Sequence, residues 1–130
     1  MNYAFDTNAI IHLMRGLPSI VKNREQALKT GARFYIPPVV NYEILRGLII
    51  KPTPAHEKAY NIIRHNCVVG EMTGLIWERA AVIYAQLYAD HFSVADADIL
   101  IAAFCVVNRY RLVTANIKDF ENINELQVED

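Results

Sequence analysis

The stretch Tyr3-Ala4-Phe5-Asp6-Thr7-Asn8-Ala9-Ile10-Ile11 passes from strand chemistry to helix chemistry within a few residues. Tyr3-Ala4-Phe5 reads as a short strand. Asp6-Thr7-Asn8 then offers the short polar side chains that cap a helix N-terminus, and Ile10, Ile11, Leu13 and Met14 supply the helix's apolar residues. Gly16 and Pro18 punctuate it. The alternation continues downstream. A second helix runs from about Ser19 to Lys29, with Ile20, Val21 and Leu28 on one side, and stops at Gly31. Phe34-Tyr35-Ile36 is a second strand, and Pro37-Pro38 opens a helix through Ile49 with Val40, Ile44 and Leu48 at a spacing of four.

The proline-rich loop Lys51-Pro52-Thr53-Pro54 leads into a helix from Ala55 to His65 and a third strand, Cys67-Val68-Val69. A helix from Gly74 to Ala89 carries Ile76, Ala80, Ile83, Tyr84 and Leu87 along one stripe. Asp96 to Asn108 is a helix apolar nearly all round, hence central. Arg111 to Thr114 is a fourth strand, and Leu126-Gln127-Val128 is a candidate fifth. Short strands separated by helices imply a three-layer α/β/α arrangement around a parallel sheet of four to five strands. Residues 1–130 are read as a single domain.

Composition narrows the function without naming it. Apolar residues make up 53% of the chain and charged residues 21%, which excludes a disordered or fibrous protein. A net charge of −1 gives no electrostatic footprint for nucleic acid, so any such role must rest on a site. The N-terminal residues lack a basic region followed by an apolar core, which argues against a signal peptide. The longest apolar run, Ile99 to Val107, is half a membrane span. Cys67 and Cys105 lack paired spacing for zinc and read as reduced, buried thiols, so a cytoplasmic protein without membrane attachment is expected.

In parallel α/β folds ligands bind beyond the carboxyl ends of the strands, and acids collect there in this sequence. Asp6 follows the first strand. Glu43 lies in the helix after the second, at the border of its apolar stripe. Asp96 and Asp98 occupy the first turn of the central helix, and Asn116 and Asp119 follow the fourth strand. Each has an innocent reading: Asp6 or Asp96 as a helix cap, Glu43 paired with Arg46 one turn on, Asp119 as a turn residue. Asp98 is harder to dismiss among Ala97 and Ile99-Leu100-Ile101. Two carboxylates about 4 Å apart repel by roughly 4 kcal/mol at an effective dielectric of about 20, so three together cost on the order of 12 kcal/mol. That approaches the stability of a whole domain, and only protons or a cation relieve it. An all-oxygen site without His or Cys selects Mg²⁺ or Mn²⁺ over zinc, and such ions promote phosphodiester hydrolysis.

Four blocks of the sequence resemble the PIN-domain family. Phe5-Asp6-Thr7-Asn8 with Ile10-Ile11 is similar to the family's opening, and Ile36 to Gly47 resembles its second block, with Glu43 four residues before the glycine. Asp96-Ala97-Asp98-Ile99-Leu100-Ile101-Ala102-Ala103 resembles the third, and Leu112-Val113-Thr114-Ala115-Asn116 with Asp119-Phe120 the fourth. The blocks stand in the family's order from residue 5 to 120. In length and layout the chain looks like the VapC-type toxins of toxin–antitoxin pairs. The resemblance implies a metal-dependent endoribonuclease that cuts RNA to leave a 5′-phosphate, with Mg²⁺ or Mn²⁺ held mainly by Asp6 and Asp98. By position, Asp6, Glu43 and Asp98 match the family's core acids. Asn116 stands where many relatives carry a fourth acid, which favours one well-occupied ion over two. Asp96, Thr114, Thr7 and Asp119 are supporting candidates, with Asp96 either supplying charge or capping its helix. A cognate antitoxin and a homodimer are the implied partners. The alternative is a non-catalytic PIN-like domain that binds RNA or protein. Basic residues such as Arg15, Arg46, Lys51 and Lys118 look scattered in the sequence.

Overall fold

Five parallel strands make one sheet in the order β3-β2-β1-β4-β5. The computed structural model describes residues 1–16 and 18–130, and the side chains of residues 1–16 and 22–130. The strands are β1 (Asn2–Phe5), β2 (Arg33–Ile36), β3 (Val68–Val69), β4 (Arg111–Val113) and β5 (Val128–Glu129). The helices are α1 (Thr7–Met14), α2 (Pro18–Lys29), α3 (Pro38–Ile50), α4 (Pro54–His65), α5 (Gly74–Ala89) and α6 (Asp96–Asn108). The expected elements are therefore present in the expected order, and the fifth strand starts two residues later than the apolar pattern suggested. The shared face expected for Ile20 and Val21 lies outside the described residues.

Because side chains alternate along a strand, register fixes the layers. Tyr3 pairs with Phe34 in register, so Tyr3, Phe5 and Phe34 share a face, where their rings stack at centroid distances of 5.3 and 5.0 Å. Helix α2 covers that face, with the Arg24 guanidinium 5.5 Å from the Phe34 ring centre. Tyr35 points the other way and stacks on Tyr110 at 4.1 Å, against Phe104 of α6. The central helix reads as its composition demands: Ile99, Ile101, Ala102, Ala103, Phe104 and Cys105 are all buried. Along α5, Ile76, Ala80, Ile83 and Leu87 are buried, but Tyr84, expected on that stripe, is exposed. It lies at the edge of the stripe, where a long aromatic can turn outward. Cys105 is buried, Cys67 is half-buried, and both are free thiols. No helix among the described residues is long and apolar enough to cross a membrane.

The strand order carries a consequence for function. From β1 the chain lays β2 and β3 successively to one side, then crosses to place β4 and β5 on the other. The order therefore reverses between β1 and β4, and at such a switch point the flanking connections leave in opposite directions and open a crevice.

Gly70 shows how closely β3 and α6 are fitted. Its N–H bonds to the Ile36 carbonyl at 2.9 Å, and a Cβ built there would overlap two ring carbons of buried Phe104. Gly70→Ala is expected to cost about 1–3 kcal/mol, the usual range for overpacking. A lowered urea midpoint at unchanged slope would show it, and adding Phe104→Leu should restore part of the loss. A Gly70→Ala protein as stable as the parent would mean that the fit here is not tight.

Candidate active site at the switch point

Asp6 leaves β1 at the reversal of strand order. Its backbone N–H extends the sheet ladder to the Val113 carbonyl at 3.2 Å, so the first residue after β1 is still gripped by β4. The side chain, only 5% exposed, is held through both oxygens. Oδ1 accepts the Ala9 N–H at 2.8 Å, which caps α1, and Oδ2 accepts the Thr114 hydroxyl at 2.5 Å. Capping and site membership are thus compatible, since each carboxylate oxygen retains a second lone pair. Thr114 is fully buried, and its Oγ1 accepts the Asn116 N–H at 3.0 Å.

Glu43 comes from α3 and is tied to α1 by the hydroxyl of Thr7, which donates to Oε1 at 2.7 Å. The expected partner Arg46 approaches the other oxygen, Oε2, at 3.6 Å from its exposed position, while its guanidinium lies 5.1 Å from the Tyr42 ring centre. Asp98 is the third residue of α6 and is half-buried. Burial first, then repulsion by Asp119, Asp6 and Glu43, pushes its carboxyl up to about 6. Four acids from four segments therefore share one electrostatic neighbourhood.

Burial also raises Asp6 above the ordinary carboxylate range, opposed by the Thr114 and Ala9 hydrogen bonds and by His12, with Asp119 adding to the rise. His12 went unnoticed in the sequence because a lone histidine late in a short helix carries no motif. Asp119 ends a 3-10 turn, Ile117–Asp119, and is exposed yet close enough to act on both Asp6 and Asp98. Asn116 is exposed and bonds through its backbone, its N–H donating to Thr114 and its carbonyl accepting from the Asp119 N–H. Asp96 is not a cap: the N-cap of α6 is Ala95, without a side-chain bond, and Asp96 sits exposed in the first turn. Its charge favours the helix N-terminus through the dipole alone.

Among the described residues no three Asp, Glu, His or Cys side chains are gathered tightly enough to hold an ion as they stand. Asp6 is instead engaged by Thr114 and Ala9, and Glu43 by Thr7 and Arg46. The donor set is nevertheless all oxygen and mutually repulsive, which is the chemistry that suits a hard divalent cation.

The PIN-domain family model matches residues 3–126. The chain belongs to the PIN-domain family. This PIN-domain protein is 30% identical over 132 residues to a Rickettsia bellii protein named Ribonuclease VapC, spanning 98% of this chain and 95% of the relative. It is 25% identical to Ribonuclease VapC1 of Haemophilus influenzae over 143 residues, covering all of this chain and 98% of that one. Among solved structures, its fold resembles a chain of the Rickettsia felis VapBC2 complex bound to a promoter DNA fragment, with a TM-score of 0.93 at 22% identity over 99% of this chain and 98% of that chain. It also resembles a chain of VapBC-1 from nontypeable Haemophilus influenzae, with a TM-score of 0.88 at 24% identity over 100% of this chain and 98% of that one.

The raised Asp98 carboxyl has a defined pH signature. Folded, it binds its proton up to about pH 6, whereas a free aspartate lets go near 3.8. The folded state therefore holds more protons in that window, so the penalty is absent below it, grows through it and is complete above it. In chelator-treated buffer, Asp98→Asn should melt higher than the parent at pH 7.5, with the gap closing as the pH falls toward 4. A gap independent of pH would remove Asp98 from the shared acidic field.

Proposed function

We propose that this protein is the toxin of a toxin–antitoxin pair, a Mg²⁺- or Mn²⁺-dependent endoribonuclease that hydrolyses RNA phosphodiester bonds. The observation that carries this reading is the placement of Asp6 at the reversal of strand order, held by Thr114 and the head of α1, with Thr7 beside it tying Glu43 of α3. Acids set beyond the carboxyl ends of the central strands stand where parallel α/β folds bind their ligands, and the names of the relatives point to RNA as substrate.

Asp6, Asp98 and Glu43 are the residues that would hold the ion. When bound, a divalent cation offsets negative charge developing on the phosphate and makes water more acidic. The chain's own groups do the rest. Thr114 fixes the orientation of Asp6, and the Ala9 N–H keeps that carboxylate at the head of α1. Thr7 fixes the orientation of Glu43 through Oε1, and Oε2 has Arg46 only at 3.6 Å. Asn116 and Asp119, beyond β4, complete the polar rim, and Asp96 adds charge further out.

Two partners accompany this reading. An antitoxin segment carrying an arginine suits a pocket of carboxylates, since the guanidinium fork pairs with them directly and competes with the metal. A second copy of the chain suits the exposed aromatic edge of α5, where Trp77, Tyr84 and Tyr88 stand in solvent.

In vitro, Asp6→Asn is expected to lose at least about a hundredfold in RNA cleavage, on the scale of losing a positioned catalytic group. Chelation should abolish the parent's activity and Mn²⁺ should restore it. Added Mg²⁺ should raise the parent's melting temperature by linkage and leave Asp98→Asn unmoved. An equal rise in both would place the ion elsewhere. In cells, expression of the chain should arrest growth, and co-expression of its antitoxin should relieve the arrest. Unimpaired growth, or equal toxicity of Asp6→Asn, would remove the toxin reading while leaving the fold untouched.

A further inference from the structure

The basic residues that look scattered in the sequence are partly gathered in space. A groove of about 480 Å³ starts at Thr7 and Glu43 and runs between α1 and α3 to the start of α4. Arg15, Lys51 and His56 line it, and Glu43 is its one carboxylate. That carboxylate is already engaged by Thr7 and Arg46, and no ion pair among the described residues involves Arg15, Lys51 or His56. The floor is apolar, formed by Ile11, Met14, Ile44 and Leu48. A chain of net charge −1 thus carries a groove lined by Arg15 and Lys51 that reaches Glu43 at one end.

Gly47 gives a second, independent clue. It lies inside α3, exposed, on the wall of this groove. Its backbone φ is not positive, and a Cβ built on it would meet nothing within 4 Å. Glycine weakens a helix interior relative to alanine, so neither local conformation nor packing accounts for it. What its missing side chain does is leave the α3 backbone open to whatever occupies the groove.

Resting on the ribonuclease reading above, we infer that this groove is the track for the RNA strand on one side of the scissile phosphate. Arg15, Lys51 and His56 receive flanking phosphates, and Gly47 lets the sugar-phosphate backbone lie against α3. The acids must take one phosphate while repelling its neighbours. A strand leaving them therefore needs a cationic exit, and this groove provides one that begins at Thr7 and Glu43. Sugar and base faces find the apolar floor.

The test uses the full chain carrying Asp6→Asn, so that RNA survives the titration, with a short fluorescein-labelled single-stranded RNA read by anisotropy in Mg²⁺. Adding Arg15→Glu with Lys51→Glu should weaken binding by about tenfold or more. It should also flatten the slope of log Kd against log salt by roughly 1.4, about 0.7 for each single-strand phosphate that is no longer neutralised. Adding Gly47→Leu should weaken binding while leaving the melting temperature equal or higher, which separates occlusion from misfolding. RNA binding unchanged in both variants overturns the track. So does an acidic amphipathic peptide whose binding depends on Arg15 and Lys51 while RNA binding does not, because the groove is then a protein-docking site. Failure is separable from failure of the function. If the Asp6-containing chain cleaves RNA equally well with and without Arg15→Glu and Lys51→Glu, the track alone falls. If the parent neither binds nor cleaves RNA with Mn²⁺, both fall together.

Discussion

The hydrogen bond from Thr114 to Asp6 joins residues 108 apart in the chain, deep inside the protein. It stands where β1 and β4 lie side by side and the strand order reverses. Both partners are buried, so each needs the other to satisfy its polar atoms, and the pair fixes how the two strand ends meet. The Asp6 carboxylate then also caps α1, and the Asn116 N–H completes the Thr114 hydroxyl. One hydrogen bond thereby sets the end of β4, the start of α1 and the orientation of the acid between them.

Around that bond the structure balances two opposed demands. Burial and like charges raise Asp98 and Asp6, whereas donors on neighbouring elements restrain Asp6 and Glu43. Thr7 is the hinge of this arrangement, because it follows Asp6 directly and yet holds Glu43 of α3. Asp6 and Glu43 are thus ordered by hydroxyls and one arginine. The same electrostatics divides the surface: carboxylates at the switch point, and cations along the groove between α1 and α3.

Local chemistry made most elements legible. Pro38 at the start of α3, the turn at Gly31 and the all-apolar α6 each carry a signal within a few residues, and the elements were found at those places. Asp6, Glu43 and Asp98 stood out because each is an acid placed soon after a strand or at an apolar helix start. Asp96 misled because aspartate is a favoured cap, but the chain turns into α6 one residue earlier, at Ala95. Tyr84 misled because periodicity places a side chain near a stripe and does not say which way a large ring at its edge will lie.

The sequence by itself determined the alternation of strand and helix, the parallel α/β class and the acidic residues beyond the strands. All of these depend on neighbours within about one helical turn or one strand length. Only the tertiary structure decided that β1 lies between β2 and β4, and with it the reversal that sets Asp6 beside Thr114. It alone tied Thr7 to Glu43, brought Asp119 to bear on Asp98, and collected Arg15, Lys51 and His56 along one groove. Strand order and helix facing are fixed by long-range burial and chain closure, and residues distant in sequence become neighbours only when those are satisfied together.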